Sequence, residues 1–163
     1  MNDKTPALSW GHININVSNL DESIAFYQKL GFSMFLPGIP YLHLTASDRL
    51  NMMPSTAARA LAMPEQSEGR ACIMQLGEGF PKIDLTEWAG ADQQSPPGNG
   101  DLGLVRLCLA SQDLMTDYAN LAEQGVKFLS EPQATKDGKA DIAVCVDPDG
   151  SLIELIQIYF EKW

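Results

Sequence analysis

Basic residues are scarce in this chain. Eleven lysines and arginines stand against 21 aspartates and glutamates, a formal net charge of −10. Phosphate contacts need a basic face, so non-specific nucleic-acid binding is excluded and anionic membrane surfaces are disfavoured. A cationic ligand is permitted, although most such charge is a solvated surface. Long apolar runs are also missing, and none approaches the ~20 residues that cross a bilayer. The start, Met1-Asn2-Asp3-Lys4-Thr5-Pro6, carries neither the basic region nor the apolar stretch of a signal peptide, so a cytoplasmic protein is expected. Cysteine is limited to Cys72, Cys108 and Cys145, an odd and widely spaced set without a CxxC pair. That excludes a disulfide framework and suggests small core residues in a reducing compartment. Cys108 stands apart, because it shares a strand face with Arg106. Gly77-Glu78-Gly79 is no phosphate loop, since no helix with Lys and Ser/Thr follows it. Neither a nucleophile elbow nor a Ser-His-Asp order is present.

What the chain does contain is a repeat. Gly11-His12-Ile13-Asn14-Ile15-Asn16-Val17 is answered by Val105-Arg106-Leu107-Cys108-Leu109-Ala110-Ser111. Leu20 pairs with Leu114, Ala25 with Ala119 and Gly31 with Gly125, all at an offset of 94. At the matching strand position one copy has His12 and the other Arg106. With 163 residues and 45% apolar content, the chain fits an ordinary folded unit with a sizeable core.

Periodicity places the elements. Trp10 to Val17 alternates, with Ile13, Ile15 and Val17 on one face and His12, Asn14 and Asn16 on the other. A helix follows, capped by Asn19 or Asp21 and stopped at Gly31. Residues 37–70 are broken by Pro37, Pro40, Pro54 and Pro64, with a short helix expected over Ser55 to Met63. Methionines 52, 53 and 63 there read either as a lid over a pocket or as filler on the sheet. Ala71 to Leu76 and Lys82 to Trp88 read as a hairpin. The second module runs strand (Leu104 to Ala110), helix (Leu114 to Gln124), strand (Val126 to Leu129) and a closing hairpin. That hairpin joins Ile142–Val146 to Leu152–Ile158 through Asp147-Pro148-Asp149-Gly150. The division is a first βαββ module over 1–89 with an insertion at 37–70, a linker over 90–100 and a second βαββ module over 101–163.

Two carboxylates fall mid-strand. Asp84 shares a face with Thr86 and Trp88. Glu154 interrupts the apolar run Leu152-Ile153-Glu154-Leu155-Ile156, where a carboxylate is costly unless paired, hydrogen-bonded or metal-bound. Glu87 points to the opposite face from Asp84 and reads as structural. His43 is expected on the surface of the insertion. Trp88, Tyr41, Phe35 and Met52 either line an apolar pocket or belong to the core.

Gly11-His12-Ile13, Leu20-Asp21-Glu22-Ser23-Ile24-Ala25-Phe26-Tyr27, Leu30-Gly31-Phe32 and Asp147-Pro148-Asp149-Gly150-Ser151-Leu152-Ile153-Glu154-Leu155 resemble the vicinal oxygen chelate superfamily. That superfamily contains glyoxalase I, extradiol dioxygenases, methylmalonyl-CoA epimerase and bleomycin-resistance proteins. The resemblance implies an α+β fold, with two βαββ modules forming a curved eight-stranded mixed sheet around a central cleft. It also implies a divalent metal held by residues at the positions of His12, Asp84, Arg106 and Glu154. Arginine cannot ligate a cation, and its guanidinium would repel one held by His12, Asp84 and Glu154. The metal-free reading is therefore preferred, with Arg106 paired to a carboxylate. Mg²⁺, Mn²⁺ or Fe²⁺ on His12, Asp84 and Glu154 is the alternative. The expected function is a small-molecule lyase or isomerase working by general acid-base chemistry. His12, Arg106 and Glu154 are its catalytic residues, and Asn14, Asp84, Trp88 and Cys108 contact substrate. A metal-free protein that binds a drug or natural product is the second reading, and a metal-dependent dioxygenase the third. A homodimer with a small-molecule ligand is expected.

Overall fold

The computed structural model describes residues 6–90 and 94–163. The described residues divide into two compact units, one gathering residues 6–20 and 31–90, the other 21–30 and 94–163. The helix α1 (Leu20–Lys29), which follows the first strand in sequence, thus belongs from Asp21 onward with the second unit.

The first unit is built on a five-stranded sheet. Its strands are β1 (His12–Asn16), β2 (Ser33–Leu36), β5 (Asn51–Met52), β6 (Glu68–Gln75) and β7 (Lys82–Trp88). They lie in the order β1-β7-β6-β2, with β5 also pairing β6. Between β2 and β5 comes a small hairpin of β3 (Gly38–Ile39) and β4 (Leu44–Thr45), closed by the 3-10 turn Pro40–Leu42. Helix α2 (Ser55–Ala60) follows β5. Strand β6 begins at Glu68, so the sheet reaches into the segment that proline spacing assigns to the insertion.

That segment has a core of its own on the sheet. Ile39, Leu42, Leu44, Met53 and Ala58 bury themselves against Ala71 and Ile73 of β6, with Met63 and Trp88 packed alongside. Met53 is therefore filler on the sheet, while Met52 is exposed. Tyr41 and Phe35 are exposed as well, so of the four dispersed side chains only Trp88 joins a core. Arg70 ties the insertion down: its Nε donates to the Ser47 carbonyl (2.8 Å) and its Nη2 to the Ala46 carbonyl (3.2 Å). Gly69 cannot carry a side chain here, because a Cβ would stand 2.6 Å from the Glu87 carbonyl oxygen and 2.9 Å from the Trp88 ring.

The second unit repeats the plan. Its strands are β8 (Arg106–Ala110), β9 (Lys127–Phe128), β10 (Gln133–Ala134), β11 (Ala140–Val146) and β12 (Leu152–Ile158). They lie in the order β10-β11-β12-β8, with β9 also on β11. Helix α3 (Leu114–Glu123) starts at Asp113, whose carboxylate accepts from the Thr116 amide (3.1 Å) and hydroxyl (2.8 Å). Gly125, with φ of 84°, ends it in the left-handed region. The eight strands of the two repeats are all present, four in each sheet. Each sheet gains a two-residue fifth strand, so the hydrogen-bonded result is two five-stranded sheets.

In both units the first strand of the repeat runs parallel to the last, β1 on β7 and β8 on β12. The start of each helix is held in the same way. The Leu20 amide donates to Glu87 Oε2 (2.7 Å), and the Leu114 amide to Gln157 Oε1 (2.9 Å). Glu87 is thus structural, as its parity suggests.

The β11–β12 turn is fastened from within its unit. Asp147 Oδ1 accepts from the amides of Asp149 (3.0 Å) and Ser151 (2.7 Å), and the buried Tyr27 hydroxyl donates to Oδ2 (3.1 Å). Burial pushes the Asp147 carboxyl above its usual range and the Tyr27 phenol far above its own. Gly150, at φ 96°, supplies the conformation that closes the turn. The linker expected over 90–100 falls partly on 91–93, which lie outside the described residues. Within the rest, the Gly98 amide donates to Asp101 Oδ2 (2.6 Å).

Candidate active site

Parallel pairing sets the geometry of the polar face of the first unit. His12 lies opposite Lys82 in register and Asn14 opposite Asp84. Side chains lean along the strands, so each β1 residue reaches the β7 residue two places beyond its partner. The His12 Nε2 stands 3.2 Å from Asp84 Oδ2. Thr86 Oγ1 donates to Asn14 Oδ1 (3.1 Å), and Trp88 Nε1 donates to Asn16 Oδ1 (3.1 Å). The result is three polar rungs, crossed by one more bond from Asn14 Nδ2 to Asn16 Oδ1 (2.9 Å).

The first rung is the charged one. Asp84 is 1% exposed, whereas the His12 side chain is 44% exposed. Burial raises the Asp84 pKa above its usual range, and the neighbouring His12 and the Tyr41 hydroxyl offset part of that rise. Tyr41 comes from the insertion, and its own phenol is raised by burial and by Asp84. Asp84 Oδ1 is buried without a hydrogen-bond partner among the described residues. A His–carboxylate contact of this kind orients the imidazole. With Nε2–H turned to Asp84, the Nδ1 lone pair is the basic position.

In the second unit the equivalent rung joins Arg106 to Glu154, with Nε donating to Oε2 at 2.5 Å. Arg106 Nη1 also donates to Asn99 Oδ1 (2.8 Å). Guanidinium carries five N–H donors, so three of Arg106's have no partner among the described residues. The arginine side chain is 38% exposed and that of Glu154 13% exposed. Glu154 and its hydrogen bond raise the Arg106 pKa further, which keeps the group cationic. The second and third rungs vanish here. Cys108 and Ala110 occupy the places of Asn14 and Asn16, with Ile156 and Ile158 opposite. Cys108 is exposed and lies beside Glu154 in register; burial first, then Glu154, raises its thiol pKa.

The expected site residues therefore fall into two sets. His12, Asn14, Asp84 and Trp88 come together in the first unit, and Arg106, Cys108 and Glu154 in the second. Trp88 also borders a groove of about 520 Å³ with Met63, Pro64, Gln66 and Ser67. His43 lies exposed on the insertion. The sequence reading missed Asn99, which sits in a polar stretch without periodicity. It also named Tyr41 without linking it to Asp84, because no spacing rule connects a turn in an insertion to a distant strand.

A divalent ion fits these donors poorly. Asp84 is engaged by His12 and Glu154 by Arg106, and the guanidinium adds a fixed positive charge where the repeat would place a ligand. Among the described residues, no group of three His, Cys, Asp or Glu side chains gathers in a metal-holding arrangement.

Comparison with known proteins agrees with the repeat and its topology. The family model for the glyoxalase/bleomycin resistance protein/dioxygenase superfamily matches residues 9–155. A probable lactoylglutathione lyase of Synechocystis sp. is 28% identical over 155 residues, covering 93% of this chain and 96% of that protein. Among solved structures, a glyoxalase family protein from Bacillus cereus superposes with a TM-score of 0.74 at 16% identity, over 97% of this chain and 99% of that one. Glyoxalase I from Zea mays gives a TM-score of 0.62 at 22% identity, over 90% of this chain and 43% of the maize chain. The chain belongs to the glyoxalase/bleomycin resistance protein/dioxygenase superfamily.

Proposed function

We propose that this protein is a small-molecule lyase or isomerase of the superfamily that moves protons with its own side chains, without a resident divalent ion. The observation that carries the reading is the closure of both strand pairs, His12 on Asp84 and Arg106 on Glu154. His12 is the base: Asp84 fixes its tautomer, and Nδ1 of the half-exposed ring takes a proton from carbon beside a carbonyl and returns it to the neighbouring carbon. Arg106 holds an oxygen that gains negative charge, since its three free N–H groups are donors that need no reorganisation. Glu154 keeps the guanidinium in place and is the second carboxylate available for proton transfer. Asn14, Trp88 and Cys108 are assigned to substrate contact. The lyase named for the Synechocystis relative makes the first substrate to try the hemithioacetal of methylglyoxal and glutathione, with formation of lactoylglutathione as readout. Conversion is expected to survive chelator treatment, and His12→Gln is expected to lower kcat on the order of 10²–10⁴-fold. Conversion that chelation abolishes and a divalent ion restores would contradict the reading. Absence of any conversion would remove lactoylglutathione from it.

A further inference from the structure

The upper two rungs of the first unit have a directional property that proton chemistry does not use. An asparagine side chain offers one oxygen with two lone pairs and one nitrogen with two N–H groups. In Asn16 the oxygen is fully engaged, because it accepts from Trp88 Nε1 at 3.1 Å and from Asn14 Nδ2 at 2.9 Å. In Asn14 the oxygen accepts from the buried Thr86 hydroxyl at 3.1 Å. Neither Trp88 Nε1–H nor a second N–H can serve as an acceptor, so neither amide can turn over without breaking the ladder. The Asn16 NH₂ group is thereby turned away from it, while Asn14 keeps one N–H in the ladder and one outside it. Asn16 Nδ2 has no partner among the described residues, Asn14 Nδ2 has one N–H to spare, and both side chains are exposed. A ligand that donates hydrogen bonds finds almost no acceptor on this strip. One that accepts them finds three N–H groups held in place.

Charge narrows the class further. Charged groups on this face are Asp84, buried and paired to His12, and Lys82 at the far end. The Lys82 ammonium is committed to Gln75 Oε1 (2.7 Å) and the Glu78 carbonyl (3.1 Å), between the rings of Phe35 and Phe80. Within the first unit, no free cation lies on this face among the described residues, and the chain as a whole carries −10. An anion meets no opposite charge on this face, and the net charge of the chain disfavours its approach.

We propose that Asn14 and Asn16 form a recognition strip for uncharged carbonyl oxygens, of the amide or ketone kind, on the ligand whose proton His12 moves. The identity of the ligand as His12's substrate rests on the acid-base reading; the strip's preference for carbonyl acceptors stands on the ladder alone. The test is titration of the whole ¹⁵N-labelled chain with N-acetylglycine N-methylamide, a neutral probe with two carbonyl acceptors. Saturable shifts are expected at the side-chain amide resonances of Asn14 and Asn16. Asn16→Asp keeps the shape and the oxygen that Trp88 bonds but replaces the NH₂ by a second oxygen. It should weaken binding by about tenfold or more, while the Trp88 indole N–H resonance stays in place as proof that the ladder is intact. Asn14→Asp loses its spare N–H and also the bond to Asn16 Oδ1, so it should weaken binding and, in the free protein, move the Asn16 side-chain amide resonances as the ladder opens. Absence of saturable shifts at the two amides, or undiminished binding by Asn16→Asp, overturns the strip. Binding that obeys these variants in a protein without hemithioacetal turnover would leave the strip standing and count against the reaction alone.

Discussion

The parallel strand pairs β1–β7 and β8–β12 are copies of one design, and they have been filled differently. The first carries three polar rungs, His12–Asp84, Asn14–Thr86 and Asn16–Trp88. The second carries one, Arg106–Glu154, and then turns apolar through Cys108, Ala110, Ile156 and Ile158. The closing turns differ in the opposite sense. In the second unit Asp147, the first residue of the β11–β12 turn, knits that turn together, while the strand register puts Leu76, which has no hydrogen-bonding side chain, at the corresponding place in the first unit. One copy thus invests polar groups on an exposed strand face, where they are available to ligand. The other invests them inside a turn, where they serve stability. A repeat preserves backbone and register, and lets each copy distribute its polar residues separately.

The difference can be broken from the functional side first. His12→Gln removes the proposed base at a half-exposed position. The expected outcome is the loss of turnover given above with an unchanged melting temperature; a large fall in melting temperature would mark His12 as structural. Next in size is Tyr27→Phe, which strips a hydrogen bond from the buried Asp147 carboxylate. It should cost about 1–3 kcal/mol, measured by urea unfolding.

The pH dependence follows from the direction of the Asp147 shift. Burial holds its folded-state pKa above the ordinary carboxylate value, so the folded chain holds that proton more tightly than the unfolded chain. The stabilisation from this group is fully present below the unfolded pKa and is lost as pH rises through the folded one. Relative to Asp147→Asn, the parent should gain stability as pH falls from neutrality towards 3.8. An equal pH slope in both proteins would show that the carboxyl titrates normally. The smallest effect is expected from Thr86→Val, which deletes the middle rung at a cost of about 1 kcal/mol. It should also loosen the Asn14 amide, then held by its bond to Asn16 Oδ1 alone, visible as broadened side-chain amide resonances.

The sequence carried much of this, and its limits have physical causes. The repeat, the parity of Asp84, Glu154 and Glu87, and the place of Arg106 opposite His12 all follow from periodicity two and a constant offset. The rungs do not, because β1 and β7 are parallel strands joined by a long crossover. Their register is set by packing, and no local rule pairs Asn16 with Trp88. The insertion was opaque for a similar reason. Its prolines hide short strands, and its core of Ile39, Leu42, Leu44 and Met53 becomes visible only once Ala71 and Ile73 are beneath it. The passage of helix α1 to the second unit leaves no trace in composition or spacing.

The central claim is that fixed side-chain pairs occupy the place of the metal. It is tested most directly by the metal content of the chain purified without chelators, measured beside Arg106→His. The account predicts no divalent metal approaching one per chain in the parent, and metal binding gained by the histidine variant, where a ligand replaces the guanidinium. Near-stoichiometric metal in the parent would contradict it, and would make His12, Asp84 and Glu154 the ligands of a metalloenzyme.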